Sequence, residues 1–491
     1  MPARRTHITR HSSHGQLAGA LAALRIEHDV PAEFPAEVLA EAQRAVAVPP
    51  AADLRDVPFV TLDPAGSRDL DQALHLSRLD GPSGTGAAST PGAATYLVRY
   101  AIADVPGYIR PGGALDREAR QRGQTLYLPD GSVPLHPRIL SEDRASLLPE
   151  RDRTAYVWSI TLDAEGRQTS VGLERAWIRS RAQLDYTSAQ LRFDRQEDPG
   201  PLALLPEIGM LRLAQQSARG GASLNLPDEE IERDETGYRI VRRMPVAVED
   251  WNAQLSLLTG MAAARLMLDA RIGVLRTMPA PTEEAIQQFR ARVRGLGAPW
   301  PEGMRYGEYL RTLDRGTARS AAILQAASGL FRGADYAVFD GAVPEAPEQA
   351  AIAAPYAHVT APLRRLVDRW GLVICAAICA GEEVPSWVRA SLPELPALMR
   401  RSTQRAAAVE SAALDRVEAA LVRDRIGETF TAVVLERRGD GARVQIADPP
   451  ITGRIALSAD DPDSQPGSLS DVRVVSADVN RGSVVLAAAD A

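Results

Sequence analysis

The sequence has 491 residues, of which 45% are hydrophobic and 24% charged, the composition of an ordinary globular protein. All 56 basic side chains are arginine, and against 63 acidic side chains they give a net charge of −7. The absence of lysine excludes Walker-type phosphate loops, protein kinases and Schiff-base enzymes, since each of these needs a lysine amine. At about 150 residues per domain, the length predicts roughly three domains.

The first segment combines a basic arm with two short helices. Residues 1–14 hold three arginines, three histidines and no acid, so this arm could contact phosphate. Amphipathic patterns predict helices over residues 16–27 and 35–46, joined by a turn. The pair could form a helix–turn–helix of a DNA-binding regulator, or serve only as a packing unit. We place this segment at residues 1–52.

The middle of the chain predicts an α+β domain, with strands first and helices after them. Alternating apolar patterns begin at Phe59 and continue to about residue 243. Helical periodicity dominates from Trp251 to about residue 425. The strongest helical patterns cover residues 253–269, 283–293, 356–380 and 398–424.

The last 65 residues, 427–491, change from helical periodicity to short alternating apolar and polar runs. Five short alternating strands in that length predict a five-stranded OB barrel, a fold that binds oligonucleotides through its middle strands. Phe430 is the only aromatic residue there, and six arginines face ten carboxylates. We therefore expect this barrel to hold single strands weakly, and the alternative is a barrel that serves only for packing.

The cysteines and the apolar runs bear on location. Cys375 and Cys379 lie four residues apart in an apolar run, so they predict one face of a buried helix; a metal site would need two more ligands. Two cysteines make no disulfide framework, which fits a reducing compartment. The sequence has no run of about 18 apolar residues, and because residues 1–14 lack the apolar core of a signal peptide, we do not expect one. We expect a cytoplasmic protein that has no contact with membranes.

A cluster of carboxylates occupies the segment TLDPAGSRDLDQA at 61–73. Asp63, Asp69 and Asp71 lie within nine residues, and Pro64 and Gly66 favour a turn between them. An extended backbone would point Asp69 and Asp71 the same way, and the turn can bring Asp63 back towards them. Oxygen ligands favour Mg²⁺ or Mn²⁺. The pattern predicts a metal site, and the alternative is a solvated acidic loop.

A second unusual segment is YAHVTAPLRRLVDRWG at 356–371. The proline predicts a helix that begins at residues 361–362, with Arg365 and Arg369 on one face and Arg364 on another. Arginine near a metal-binding carboxylate cluster makes chemical sense if a phosphate lies between them. The alternative is a set of helix-surface charges that includes Asp368.

These two motifs resemble the ribonuclease II and ribonuclease R family, exoribonucleases with an RNB catalytic domain. The family pattern T-I-D, turn, D-x-D-D-A is similar to residues 61–73, and Y-x-H-F-T-S-P-I-R-R-Y-x-D is similar to residues 356–368. Further matches follow in order at residues 101–130, 140–149, 179–190 and 225–230. The resemblance covers residues 53–425, and the terminal barrel fits the family's RNA-binding domain of the ribosomal S-one type.

The resemblance implies an RNB-type catalytic domain over 53–426 and a 3′→5′ processive hydrolysis of single-stranded RNA to nucleoside 5′-monophosphates. It implies Mg²⁺, with Mn²⁺ as the other suitable cation, held by Asp63, Asp69 and Asp71, and it implies Asp69, Asp71 and Arg364 as catalytic residues. Tyr127 would stack on the terminal nucleotide, and Arg364 with Arg365 would contact the RNA phosphate. We expect the protein to act as a monomer.

The chain departs from the family pattern in three places. Gln72 stands where the family has its fourth aspartate, and Leu366 replaces the tyrosine of the arginine motif. The segment WNAQLSLLTG at 251–260 replaces one that normally carries glutamate and asparagine. An RNA-binding relative with weak or no catalysis is therefore the alternative function. About 50 residues precede the RNB-like region, too few for two cold-shock barrels, so we expect a shortened RNA path.

Overall fold

The computed structural model describes residues 16–31, 33–79, 93–222, 224, 228–234, 237–314, 317–438, 441–446, 451–456 and 468–489. The predicted basic arm, residues 1–14, lies outside the described residues. The fold combines a mixed α+β body with a C-terminal all-β barrel, which confirms the predicted fold class.

A six-stranded sheet forms the centre of the body. Its strands are β1 (Ala52–Asp53), β2 (Phe59–Asp63), β3 (Gln72–Arg78), β4 (Tyr96–Ala103), β7 (Asp152–Leu162) and β8 (Gln168–Asp185). Strand β8 pairs antiparallel with β7 through its first part and parallel with β2 through its last part. Because β2, β3, β4 and β7 also pair in succession, the hydrogen bonding returns to β8 and closes a ring. The turn between β2 and β3 carries the carboxylate cluster.

Helices cover this sheet and build the rest of the body. The described α-helices are α1 (Gln16–Glu27), α2 (Ala36–Arg44), α3 (Val105–Tyr108), α4 (Ala114–Arg122), α5 (Tyr186–Asp194), α6 (Leu205–Arg219), α7 (Ala247–Ala270), α8 (Glu283–Gly295), α9 (Tyr306–Arg311), α10 (Ala318–Ala327), α11 (Asp368–Ala380), α12 (Ser386–Ser391) and α13 (Leu395–Val422). Short strand pairs complete it: β5 (Leu126–Leu128) with β6 (Gly131–Val133), β9 (Asp228–Asp234) with β10 (Gly237–Arg243), β11 (Ile272–Thr277) with β12 (Asp335–Asp340), and β13 (Glu348–Gln349) with β14 (Ala354–Pro355).

One predicted helix is wrong in its first half. The pattern predicted a helix over 356–380 that begins at 361–362, but α11 begins at Asp368, and residues 362–367 form turns with one bridge. The backbone of this segment bonds to residues 123–125 instead. Thr125 N–H donates to the Arg364 carbonyl at 3.0 Å, Leu366 N–H donates to the Gly123 carbonyl at 3.0 Å, and Gln124 bridges Arg365. A helix would have used these groups internally.

The two N-terminal helices pack in different places. Helix α1 buries Leu17 and Leu21 in an apolar cluster with α13 and the terminal barrel, whereas α2 packs on α4 and buries Val38 in another cluster. This arrangement favours the packing interpretation over a helix–turn–helix unit. The segment contributes to two cores of the molecule.

The C-terminal strands form a nearly closed barrel. They are β15 (Thr429–Arg438), β16 (Gly441–Ile446), β17 (Thr452–Ala456), β18 (Leu469–Asp478) and β19 (Ser483–Ala488). They pair in the order β17-β16-β15-β18-β19, and β17 also contacts β19. The barrel interior shares its apolar cluster with α13, so helix and barrel are packed as one core.

The cysteines lie where the apolar pattern predicted them. Cys375 is buried on α11 and Cys379 is partly buried four residues on, both within or against the main apolar cluster. Burial raises the pKa of both thiols. In the part of the chain that the structure describes, no helix combines the length and apolar character needed to span a bilayer.

Candidate active site

The loop between β2 and β3 is held in place from behind. Ser146, a buried residue, accepts the Leu70 N–H at 3.0 Å and donates its hydroxyl to the Arg68 carbonyl at 2.6 Å. The Leu70 carbonyl accepts the Leu147 N–H at 3.0 Å. Asp69 and Asp71 flank this anchored leucine, so the directions of their side chains are set by a rigid backbone.

Asp71 is the most buried of the three predicted carboxylates, with 5% exposure. Its Oδ1 accepts the Leu363 N–H at 2.8 Å, and its Oδ2 lies 3.6 Å from the Arg364 Nε. Burial raises the pKa of Asp71 well above its ordinary value, although Arg364 and the Leu363 amide act in the opposite direction. The neighbouring Asp69 charge raises this pKa further. A cation close to Asp71 would therefore favour its charged form.

Tyr127 and Asp69 meet at the same place. The Tyr127 hydroxyl lies 3.5 Å from the Asp69 Oδ2. Tyr127 sits on β5, directly after the residues 123–125 that bond to the backbone around Arg364. The structure therefore brings Asp69, Asp71, Arg364 and Tyr127 together, although three separate stretches of the chain supply them.

The three arginines of the second motif have different surroundings. Arg365 donates from Nε and a terminal nitrogen to both Asp368 oxygens, at 2.9 and 2.8 Å. Burial lowers the pKa of Arg365, but Asp368 more than offsets it, so this pKa is raised. Arg369 is buried and donates to Asp116 and, at 3.0 Å, to a backbone carbonyl. Arg364, one-third exposed, is the arginine that faces Asp71.

The three carboxylates have the chemistry of a metal site but not the full arrangement of one. Their donor atoms are all oxygens, which suits Mg²⁺ or Mn²⁺, and Asp69 is close enough to Asp71 to raise its pKa. Among the residues described, however, no three His, Cys, Asp or Glu side chains are arranged to hold a metal ion. Asp63 ends β2 opposite Asp185 of β8. The donor chemistry fits a hard cation, while the predicted convergence of all three carboxylates is not seen.

Gln72 makes hydrogen bonds with both ends of its amide. Its Nε2 donates to the Thr360 carbonyl at 2.7 Å, and its Oε1 accepts the hydroxyl of Tyr100. A glutamine side-chain oxygen can coordinate a metal, and Gln72 stands at the position of the family's fourth aspartate. In the structure that oxygen is already bonded to a buried tyrosine.

Other groups at the site have no signature in the sequence motifs. The Leu363 N–H that holds Asp71 and the Ser146 hydroxyl behind the loop come from residues of ordinary type. Asp104 matches the family pattern, yet it caps α3 by accepting the Gly107 N–H at 3.0 Å and pairs with Arg175 at 2.6 Å. That carboxylate has a structural role.

Comparison with protein-family models gives two matches. The RNB domain matches residues 51–373, and the RNase II-type exonuclease C-terminal S1 domain matches residues 428–489. The chain is 32% identical to Ribonuclease R of Escherichia coli (strain K12) over 336 residues, 64% of this chain and 39% of that protein. It thus spans about two-fifths of the length of such curated relatives.

Solved structures of the same fold include an RNase R and a protein described as a pseudonuclease. Mycoplasma genitalium RNase R, in complex with ribose-methylated single-stranded RNA, has a TM-score of 0.84 at 19% identity and covers 96% of this chain and 78% of its own. Yeast Ssd1, a pseudonuclease, has a TM-score of 0.69 at 15% identity and covers 94% of this chain and 59% of its own. At these identities the likeness shows the fold alone.

Proposed function

Because this chain belongs to the RNB family, whose ribonucleases are exoribonuclease hydrolases, we propose that it hydrolyses single-stranded RNA from the 3′ end. The proposed reaction is processive and releases nucleoside 5′-monophosphates. The observation that carries it is the convergence of Asp69, Asp71, Arg364 and Tyr127, since these residue types together can bind a phosphate and a terminal base.

In this proposal Asp69 and Asp71 would hold Mg²⁺ or Mn²⁺. Such a cation, when bound, activates water and stabilises the charge that develops on phosphate and leaving oxygen. The anchored Leu70 backbone and the Leu363 N–H fix where the two carboxylates point. Family exoribonucleases generally depend on Mg²⁺, which supports this assignment.

Arg364 would bind the scissile phosphate. Its guanidinium is partly exposed and lies 3.6 Å from a buried carboxylate, so its charge faces the site and has a fixed direction. Guanidinium binds phosphate through paired N–H groups, which orients the phosphate as well as neutralising it. Tyr127, which lies on the neighbouring β5–β6 hairpin of the protein, would stack on the last base of the RNA. Arg365 would support the turn through its bond to Asp368.

A nuclease assay tests the proposal. End-labelled single-stranded RNA and DNA are incubated with the full chain in Mg²⁺, in Mn²⁺ and with a chelator. We expect mononucleotides from RNA only when metal is present, and a loss of about a hundredfold or more for Asp71→Asn. The exposed Asp269→Asn is the matched control and should keep full activity, since Asp269 pairs only on the surface with Arg265. Uncut RNA in every metal would contradict the proposal.

A second function has a specific observation in its favour. Gln72 replaces the family's fourth aspartate and is bonded within the protein, and a pseudonuclease shares the fold. The second candidate is an RNA-binding relative with weak or no catalysis. RNA that binds the full chain tightly but stays intact in Mg²⁺ and Mn²⁺ would support it.

A further inference from the structure

Gln72 lies directly after Asp71, at the start of β3, and links two buried residues. Its amide N–H donates to the Thr360 carbonyl at 2.7 Å, and its amide oxygen accepts the Tyr100 hydroxyl. Thr360 is 2% exposed and Tyr100 is 1% exposed, so water cannot easily replace either bond. This glutamine therefore satisfies one buried acceptor and one buried donor at the same time.

A second side chain, that of Ser256, also contacts Thr360. Ser256, on α7 in the segment WNAQLSLLTG, lies with its Oγ 2.9 Å from the Thr360 Oγ1. Gln72 holds the backbone carbonyl of Thr360 and Ser256 holds its side chain. Two side chains far apart in sequence thus hold one residue.

Asp71 and Gln72 hold the two ends of one short turn. Gln72 bonds the carbonyl of Thr360, and Asp71 bonds the N–H of Leu363, the residue before Arg364. We propose that Gln72 is a positioning residue, not a metal ligand: with Ser256 it fixes the Thr360–Leu363 turn and thereby the direction of Arg364. This inference rests on the proposed function, in which Arg364 binds the scissile phosphate.

The chemistry of the amide explains why glutamine suits this place. The Thr360 carbonyl needs a donor and the Tyr100 hydroxyl needs an acceptor, and a primary amide of this length supplies both without a change of protonation. A carboxylate would set an acceptor against the Thr360 carbonyl and leave it buried without a donor. An aspartate, as in the family pattern, would also be too short to keep this geometry.

The test compares two replacements of Gln72 in the full chain. Gln72→Glu keeps the shape and, in its ionised form, removes the donor, and Gln72→Met removes both bonds without adding charge. The control is Gln215→Glu on helix α6, because the Gln215 amide also donates to a backbone carbonyl, that of Glu165. Hydrogen exchange of the peptide spanning 358–367 reports the turn directly, and calorimetric titration with Mn²⁺ in the absence of RNA reports metal binding.

We expect exchange in 358–367 to be about tenfold faster or more in both Gln72 variants and unchanged in Gln215→Glu, with Mn²⁺ affinity unaltered in Gln72→Met. On RNA, kcat should fall about tenfold to a hundredfold while KM changes by less than about twofold, because positioning acts on the transition state. The double variant Gln72→Met, Ser256→Ala should lose less activity, expressed as the logarithm of kcat, than the sum of the losses in the two single variants.

Weaker Mn²⁺ binding by Gln72→Met, or tighter binding by Gln72→Glu, with unchanged exchange in both, would overturn the inference and make Gln72 a ligand. The exchange result does not depend on catalysis. If the wild-type chain left RNA intact, the proposed nuclease function would be wrong. Hydrogen exchange of the peptide 358–367 would still test the role of Gln72 in the turn.

Discussion

Arg364, Arg365 and Arg369 show how one residue type acquires three roles from its surroundings. Arg365 and Arg369 are bonded to the buried carboxylates Asp368 and Asp116, so their charges are used inside the protein. Arg364 lies further from its carboxylate and keeps a third of its surface exposed. Replacing Arg364 should therefore reduce activity, whereas replacing Arg365 should reduce the stability of the fold.

Arg364→Lys should retain a positive charge and lose the planar pair of donors. We expect kcat on single-stranded RNA to fall about tenfold to a hundredfold, since a point charge orients phosphate poorly. Thermal stability should be unaltered. The control is Arg265→Lys, whose exposed i,i+4 partner Asp269 lies on helix α7. Equal rates for wild type and Arg364→Lys would exclude the assigned phosphate contact.

Arg365→Met should act on stability. The Asp368 side chain is fully buried, so removing its partner leaves an uncompensated carboxylate and should lower the free energy of unfolding by about 3 kcal/mol or more. Arg265→Met, at an exposed pair, should change it by less than about 1 kcal/mol. Urea denaturation measures both. If Arg365→Met unfolds like wild type but loses RNA binding, Arg365 is a direct RNA contact.

His136 makes stability depend on pH. It is buried with its Nε2 3.2 Å from the Pro362 carbonyl, and burial lowers its pKa to about 3. The unfolded chain takes up this proton near its ordinary pKa, so the contribution is complete above about pH 6.5 and is lost as pH falls towards 3, by up to about 1.4 kcal/mol per unit. His136→Gln should flatten the stability profile between pH 6.5 and about 5. A variant profile as steep as wild type, measured by urea denaturation, would contradict this.

At the scale of elements, the segment 123–125 connects three parts of the site. It follows α4, leads into β5 with Tyr127, and bonds to the backbone on both sides of Arg365. Gly123 allows this path because its φ is +74° and a Cβ there would lie 2.4 Å from the Ser402 Cβ on α13. The element is therefore built around one glycine.

Gly123→Ala should lower stability by about 2 kcal/mol, from the positive φ and the clash with α13. It should also reduce activity, because the carbonyl of residue 123 holds Leu366 near Arg364. The control is Gly19→Ala in α1, where nothing lies within 4 Å, and it should stabilise by up to about 1 kcal/mol. Calorimetry of both variants measures these two changes in stability. If Gly19→Ala destabilised the protein while Gly123→Ala did not, the role assigned to Gly123 would be wrong.

At the scale of the molecule, the terminal barrel is joined to the body by a shared core and carries few RNA-binding features. Its outward face nevertheless places Arg443 of β16 directly opposite Arg454 of β17, both exposed. Like charges opposite each other cost stability unless an anion lies near them. We therefore expect this exposed pair to contact phosphate when RNA binds the barrel.

Replacing both arginines by alanine should weaken binding of single-stranded RNA uniformly across sequences. It should also reduce the slope of log K against log salt by about 1.4, since each phosphate contact on single strands contributes about 0.7. Filter binding or fluorescence anisotropy over a salt series, with a chelator present, measures the slope. Arg481→Ala, at an exposed pair with Asp478, is the control. An unchanged slope would show that the barrel does not hold RNA through this pair.

The sequence alone determined the order of motifs, the family, most helices and the five barrel strands, because apolar periodicity and turn residues act locally. It also placed the carboxylates in one turn. Only the tertiary structure decided that residues 362–367 form turns, which of three arginines faces Asp71, and that the Gln72 amide is bonded on both sides. These outcomes depend on contacts between residues far apart in the chain, and no local pattern encodes which backbone group will arrive beside a given side chain.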